Sequence, residues 1–335
     1  MGSGSCVDPL PSLADMPAIT ATAPGKIILF GEHAVVYGQP AIAVPVNQVK
    51  ARAIVSARPG QPRGSLYLQA PDIGLDHRWD QLPQDHPLVL VIKGVLKKTQ
   101  IDQPPALTVR VTSTIPIAAG LGSGAAVSVA IIRAFSEFLG RPLPNDEISQ
   151  LAFEIEKLYH GTPSGIDNAV ITFEKPIYFT KIFNEDTGKV ETIQVSNPFT
   201  FVIGDTGIPS PTSAAVGDVR KAWQADGVLF QELFENIGEI AKKARQAIEI
   251  GDNAALGPLM NENQILLKKM GVSSIELERL VQAARAAGAH GAKLSGGGRG
   301  GNMIALATTE SALHVADALT EAGATNTIIT TVNNQ

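Results

Sequence analysis

Four short segments hold most of the residues whose types and spacing could do chemistry. Pro116 to Ala126 (PIAAGLGSGAA) runs from the end of an apolar strand pattern into a helix of small residues. Glycines at this point let backbone N–H groups turn toward an anion, and a helix start adds unpaired amides and a positive dipole end. Pro116, Ala119, Gly120, Leu121, Gly122, Ser123, Gly124, Ala125 and Ala126 are therefore a candidate phosphate cradle, with Ser123 offering a hydroxyl to a phosphate oxygen or a metal. The same glycines could also only shape a tight strand-to-helix turn. No Gly-Lys-Ser/Thr follows, so the segment is not a P-loop, and the glycine spacing is not that of a dinucleotide-binding fingerprint.

The second segment runs from Ala23-Pro24-Gly25-Lys26 to Gly31-Glu32-His33 and Gly38. It places a cation, a carboxylate and an imidazole inside apolar strands, where isolated charges are costly and need partners. Those partners could be a ligand, or Lys26 and Glu32 could pair with each other at a hairpin edge. In the third segment, Glu156 ends a helix, and His160-Gly161-Thr162-Pro163-Ser164-Gly165-Ile166-Asp167-Asn168 follows, with Asp167 past a Pro/Gly-shaped turn. Two carboxylates on separate elements can divide labour, one holding Mg²⁺ and the other orienting a hydroxyl. Asp167 bonding local amides in a capped turn is the other reading. The fourth segment, Lys293 to Asn302 (KLSGGGRGGN), carries Gly296, Gly297, Gly298, Gly300 and Gly301 around Arg299. Such a run costs chain entropy unless a ligand or another backbone approaches closely, although a flexible hairpin would also use it.

These segments need a scaffold. Residues 19–56 read as two strands, the second alternating apolar and polar after Asn47. Residues 57–87 read as turns around one short strand (SLYLQA), residues 88–99 as a helix, and ALTVRVTSTIPI as a strand. The helix after the glycine loop ends at Gly140, and Asn145 or Asp146 can cap the next, EISQLAFEIEKLYHG. Strands are expected around PIYFT and VETIQV. A second unit begins near Phe199 with the strand TFVIGDTG. Helices over AWQADGVLFQELFENIGEIAKKARQAIEIG, AALGPLMNENQILLKKMG and IELERLVQAARAAGAH follow. Strand MIALAT, helix SALHVADALTEAG and strand NTIITTV close the chain. The expected class is α+β, with a tail over 1–17, one domain over 18–197 and another over 198–335.

The chain has 335 residues, enough for two cores. Its 44% apolar and 18% charged residues give a globular balance, and its net charge of −5 argues against a nucleic-acid or anionic-membrane surface. One cysteine, Cys6, excludes an intrachain disulfide and fits a cytoplasmic protein. The first residues, MGSGSCVDPLPSLADMP, have neither a basic start nor a long apolar run, so they read as an appended or disordered tail rather than a signal peptide or anchor.

Taken together and in this order, APGKIILFGEHAVVYGQPAIAVPV, the glycine loop, HGTPSGIDNAV and KLSGGGRGGNMIAL resemble the GHMP small-molecule kinases over about Thr22 to Thr308. The first and third are similar to the members that act on mevalonate. The resemblance implies an N-terminal domain like ribosomal protein S5 domain 2, a ferredoxin-like C-terminal domain and an active site in the cleft between them. It implies transfer of the ATP γ-phosphoryl group to the C5 hydroxyl of (R)-mevalonate, in the route to isoprenoids, by a homodimer. Asp167 and Lys26 match the catalytic pair, and Glu156 with Ser123 the Mg²⁺ side. Lys26, Glu32, His33, Ser164, Asp167, Thr206 and Gly297 match the substrate side. Two departures stand out: the family loop usually has two adjacent serines where Ser123 is followed by Gly124, and Arg299 stands where glycine is usual. A member acting on another hydroxyl, on phosphomevalonate or on a sugar, and a non-catalytic nucleotide sensor, remain alternatives.

Overall fold

The scaffold starts with a long hairpin. β1 (Ile19–Phe30) pairs antiparallel with β2 (Pro40–Ala57) in a computed structural model that describes residues 17–116, 119–160, 164–182, 188–209 and 212–334. Cys6, and Gly161 to Pro163 of the third segment, lie outside these residues. The first half of β2 is buried at every position, and burial alternates after Asn47, so only its second half has a solvent-facing side. The register slips between Pro24 and Gly25, just ahead of Lys26.

The other edge of β2 is shared. Its start pairs with β6 (Ile177–Lys181) and its end with β5 (Leu107–Ser113), which lies parallel to β3 (Leu66–Ala70). β4 (Leu75–Arg78) and β7 (Gly188–Thr192) close the two ends, giving seven strands in one sheet. Residues 57–87 thus hold two strands rather than the single one expected. The polar sequence LDHR of β4 pairs at an edge, where no apolar alternation is needed.

α1 (Pro87–Thr99), α2 (Ser123–Phe138), α3 (Asn145–His160) and α4 (Ile166–Phe173) cover this sheet. α2 lies on β1 and β2 and is overlaid by α1, α3 and α4, so it is apolar nearly all round. Ile131, Ile132, Phe135 and Phe138 are buried there, each contributing about 1.5–3 kcal/mol. This fixes the helix whose first turn carries the glycine loop.

The second sheet holds β8 (Phe199–Asp205), β9 (Gly291–Leu294), β10 (Asn302–Ala307) and β11 (Asn326–Val332) in the order β11-β8-β10-β9, all antiparallel. Helices join β8 to β9 and β10 to β11, the split β-α-β pattern of a ferredoxin-like domain. α5 (Thr212–Ala225), α6 (Gly227–Ile250), α7 (Asn253–Lys269) and α8 (Ile275–Ala286) fill the first connection, and α9 (Ala312–Glu321) the second. The sequence reading merged the end of α5 with α6. Asp226 separates them by accepting from the Leu229 amide at 3.1 Å as an N-cap. Among the described residues, no helix is long and apolar enough to cross a membrane.

Candidate active site

The glycine loop is pinned from both domains. The Lys26 amide of β1 donates to the Leu121 carbonyl at 3.0 Å, and Asn302 of β10 donates its side-chain N–H to the Ala119 carbonyl. Gly25 permits the first approach: a Cβ there would stand 3.3 Å from the Leu121 oxygen and 3.0 Å from Val49. Gly122 takes φ 73 immediately before α2, and the first helical bond of the turn is Ala126 N–H to Gly122 carbonyl at 3.0 Å. Helix geometry therefore leaves the amides of Ser123, Gly124 and Ala125 without an intrahelical acceptor, as an anion site requires. Gly124 is exposed, and the space beside it is open.

Lys26 and Asp167 meet next to this loop, Nζ to Oδ1 at 2.8 Å. Asp167 sits in the first turn of α4, which begins at Ile166. Gly165 provides the left-handed φ of 88 that enters this helix, and Ser164 Oγ accepts from the Ile166 amide at 3.4 Å. The helix start favours a carboxylate at Asp167. Glu156, in the last turn of α3, lies within electrostatic range of both partners. Burial, and then the Asp167 charge, push the Glu156 carboxyl up to about 8, with Lys26 pulling the other way.

Lys26 and Glu32 do not pair, contrary to the hairpin-edge alternative. Glu32 is buried, and both its oxygens are taken by the second domain: Oε1 by Lys293 of β9, Oε2 by Asn263 of α7 at 3.1 Å. His33, the next residue, holds a left-handed φ of 59, and its Nε2 faces the Gly297 carbonyl at 3.0 Å. A nitrogen facing a carbonyl must carry the proton, so Nδ1 is the lone-pair nitrogen; it is buried with no partner among the described residues. Burial, with Arg299 adding to it, lowers the His33 pKa to about 4 against the pull of the Gly297 bond, so the ring is neutral at pH 7.

Thr206, past the end of β8, is buried. It donates its hydroxyl to the Gly301 carbonyl at 2.9 Å and accepts from the Ile208 amide at 3.3 Å. Gly297 meets His33 through its carbonyl. The glycine run is an ordered turn with close backbone neighbours, since a Cβ on Gly298 would stand 2.1 Å from the Val272 oxygen. Arg299 holds φ 61, which explains why glycine suits the position, and its guanidinium pairs with Asp218 of α5 at 2.5 Å. Sequence reasoning gave no role to Lys293, Asn263, Asn302 or Asp218. The first carried a readable signal, a lysine in a strand pattern of buried residues that needs an anion.

A glycine-rich helix start and a lysine-paired carboxylate lie side by side, with a second, charge-stressed carboxyl within electrostatic range of the pair. Such a set suits transfer of a phosphoryl group to an alcohol. Family models for the GHMP kinases N terminal domain and the GHMP kinases C terminal match residues 88–175 and 244–325. The chain belongs to the GHMP kinases. It is 37% identical to a mevalonate kinase of Thermococcus gammatolerans, over 92% of this chain and 94% of that one. It is 37% identical to a mevalonate kinase of Pyrococcus horikoshii, over 86% and 88%. Among solved structures, L. major mevalonate kinase in complex with R-mevalonate superposes with TM-score 0.81 at 32% identity, covering 94% of this chain and 96% of that one.

Proposed function

We propose that this chain transfers the γ-phosphoryl group of ATP to the C5 hydroxyl of (R)-mevalonate, giving 5-phosphomevalonate and ADP. The observation that carries the reading is the Lys26–Asp167 pair, fixed beside the glycine loop by the Lys26–Leu121 backbone bond. Similarity to mevalonate kinases along nearly the whole chain supports the choice of acceptor.

In this reading Asp167 accepts the hydroxyl proton as the alcohol oxygen bonds to the γ-phosphorus. The bond from that phosphorus to the β–γ bridging oxygen breaks, and ADP leaves with the electron pair. Lys26 holds and orients the Asp167 carboxylate through their 2.8 Å ion pair. The amides of Ser123, Gly124 and Ala125 hold the phosphates, mainly through backbone, because Gly124 supplies no hydroxyl. His33, neutral, offers Nδ1 as an acceptor on the alcohol side, with Thr206 and Ser164 shaping the neighbouring backbone.

A divalent cation fits the residues present. Glu156 is a half-buried carboxyl made costly to ionise by desolvation and then by the Asp167 charge, a stress that a cation would relieve. Mg²⁺ needs only one or two protein oxygens besides phosphates and water, so the absence of any cluster of three or more acidic, His or Cys ligands among the described residues is compatible with it. Glu156 and Ser123 would hold Mg²⁺, which would neutralise charge on the β- and γ-phosphates. The reading also carries a cytoplasmic location, supported by the single cysteine, and a homodimer, supported by resemblance alone. Coupled ADP detection across a panel of alcohols tests the acceptor. Mevalonate should turn over at least about 100-fold faster per KM than phosphomevalonate or galactose, a gap that unpaired polar groups in a misfilled site can supply.

A further inference from the structure

Lys293 is a fully buried cation that phosphoryl transfer leaves without a task. Burial lowers its pKa while Glu32 opposes the shift, so the charge depends on that partner. Its Nζ donates to Glu32 Oε1 and to the Leu294 carbonyl, the latter at 2.6 Å. The segment around it is stitched to the end of β1 at successive points. Ser295 Oγ donates to the Ile28 carbonyl at 2.8 Å, Lys293 holds Glu32, and Gly297 receives His33 Nε2 at 3.0 Å. Two adjacent residues of the first domain, Glu32 and His33, are thus gripped by one short stretch of the second. The grip matters because His33 sits at φ 59, a conformation a bulky side chain keeps only when its surroundings over-determine it.

We propose that Lys293 is a positioning residue for the acceptor alcohol. By anchoring Glu32 across the two domains it keeps His33 in its left-handed conformation, with Nε2–H on Gly297 and Nδ1 left as the acceptor nitrogen. The inference rests on the reading that His33 lies on the alcohol side of the cleft. The phosphate cradle hangs on different bonds, Lys26 to Leu121 and Asn302 to Ala119, so loss of the Lys293 anchor acts on one substrate and spares the other.

Steady-state kinetics of the full chain with Lys293→Met tests this. The KM for mevalonate should rise tenfold or more while the KM for ATP stays within twofold. If the unpaired Glu32 carboxylate prevents folding, Lys293→Met/Glu32→Gln removes both charges at nearly constant volume and keeps an acceptor for Asn263; the same split is expected. A wild-type mevalonate KM in a folded variant, or both KM values rising together, overturns the proposal. So does failure of both variants to fold, which would make Lys293 a requirement of the fold alone. His33→Ala separates the two readings. A wild-type mevalonate KM in that variant removes His33 from the alcohol side, whereas a raised KM there with none in the Lys293 variants removes only the Lys293 role.

Discussion

Asp167 Oδ1 lies 2.8 Å from Lys26 Nζ, and the two arrive by independent routes: Lys26 from the middle of β1, Asp167 from the first turn of α4. The glycine loop is tied to the same residue, through the Lys26 amide. One residue therefore sets the distance between the phosphate cradle and the carboxylate that would receive the alcohol proton.

Asp167→Asn keeps the size of the side chain and removes its basicity. The expected result is a kcat lower by about 10²–10⁴, the usual worth of a positioned general base. ATP affinity, which the proposed function assigns to the loop amides, should stay within a few-fold. Pre-steady-state turnover and nucleotide titration separate the two quantities.

Gly122 and Gly124 should respond oppositely to alanine. At Gly122 a Cβ would meet Ile171 Cδ1 and Lys26 Cγ, each at 2.9 Å, on a backbone with φ 73. Gly122→Ala should cost roughly 1–3 kcal/mol and lower kcat by displacing Lys26. At Gly124 the space is open and the residue lies in the first turn of α2, so Gly124→Ala should stabilise by about 0.4–1 kcal/mol. Chemical denaturation of both variants checks the sign of each.

Stability should depend on pH through two opposed groups. Glu156 keeps its proton up to about 8 when folded and loses it near 4.5 when unfolded. Its contribution is complete below pH 4.5 and is lost as pH rises toward 8. His33 resists protonation down to about 4 when folded, against 6.5 unfolded, so its contribution is complete above pH 6.5 and is lost as pH falls toward 4. Between pH 6.5 and 8 the His33 contribution is constant while that of Glu156 is being lost, and this loss should lower the Tm of the ligand-free chain there. Glu156→Gln should flatten that decline, and saturating Mg²⁺ and ATP should do the same to the unmodified chain. A decline unchanged in Glu156→Gln would place its origin elsewhere.

Arg299→Gly exchanges a left-handed arginine for the residue that suits φ 61, at the loss of an exposed pair with Asp218. The pair is exposed and screened by solvent, so it contributes little, whereas the strain costs about 1–3 kcal/mol. The Tm should stay level or rise by about 2–4 °C. A drop on thermal melting would show that the clasp between the glycine turn and α5 outweighs the backbone strain.

Much of the site was legible because its chemistry is written locally. Lys26, Glu32 and His33 stand out as charges among buried strands. The glycines mark where backbone approaches closely, as at Gly25 and Gly298. β1, β2, α2 and α3 were located because each carries a long apolar or alternating run, bounded for α2 by the glycine loop and Gly140. What failed was non-local. The partner of Glu32 is Lys293, far along the chain, and proximity in sequence had offered Lys26 instead. The start of α5 was missed because that helix is weakly apolar overall, and its end was merged with α6. β4 was missed because an edge strand can be polar. The tie between Asn302 and Ala119 joins two domains and leaves no mark on either segment.

The central claim, phosphorylation of mevalonate at C5, is met most directly by identifying the product. The chain, ATP, Mg²⁺ and (R)-mevalonate are incubated together and followed by ³¹P and ¹³C NMR. The expected result is one ADP per 5-phosphomevalonate, with the new phosphorus coupled to C5. Phosphate on another carbon, or no ADP formed while nucleotide still binds, would contradict it.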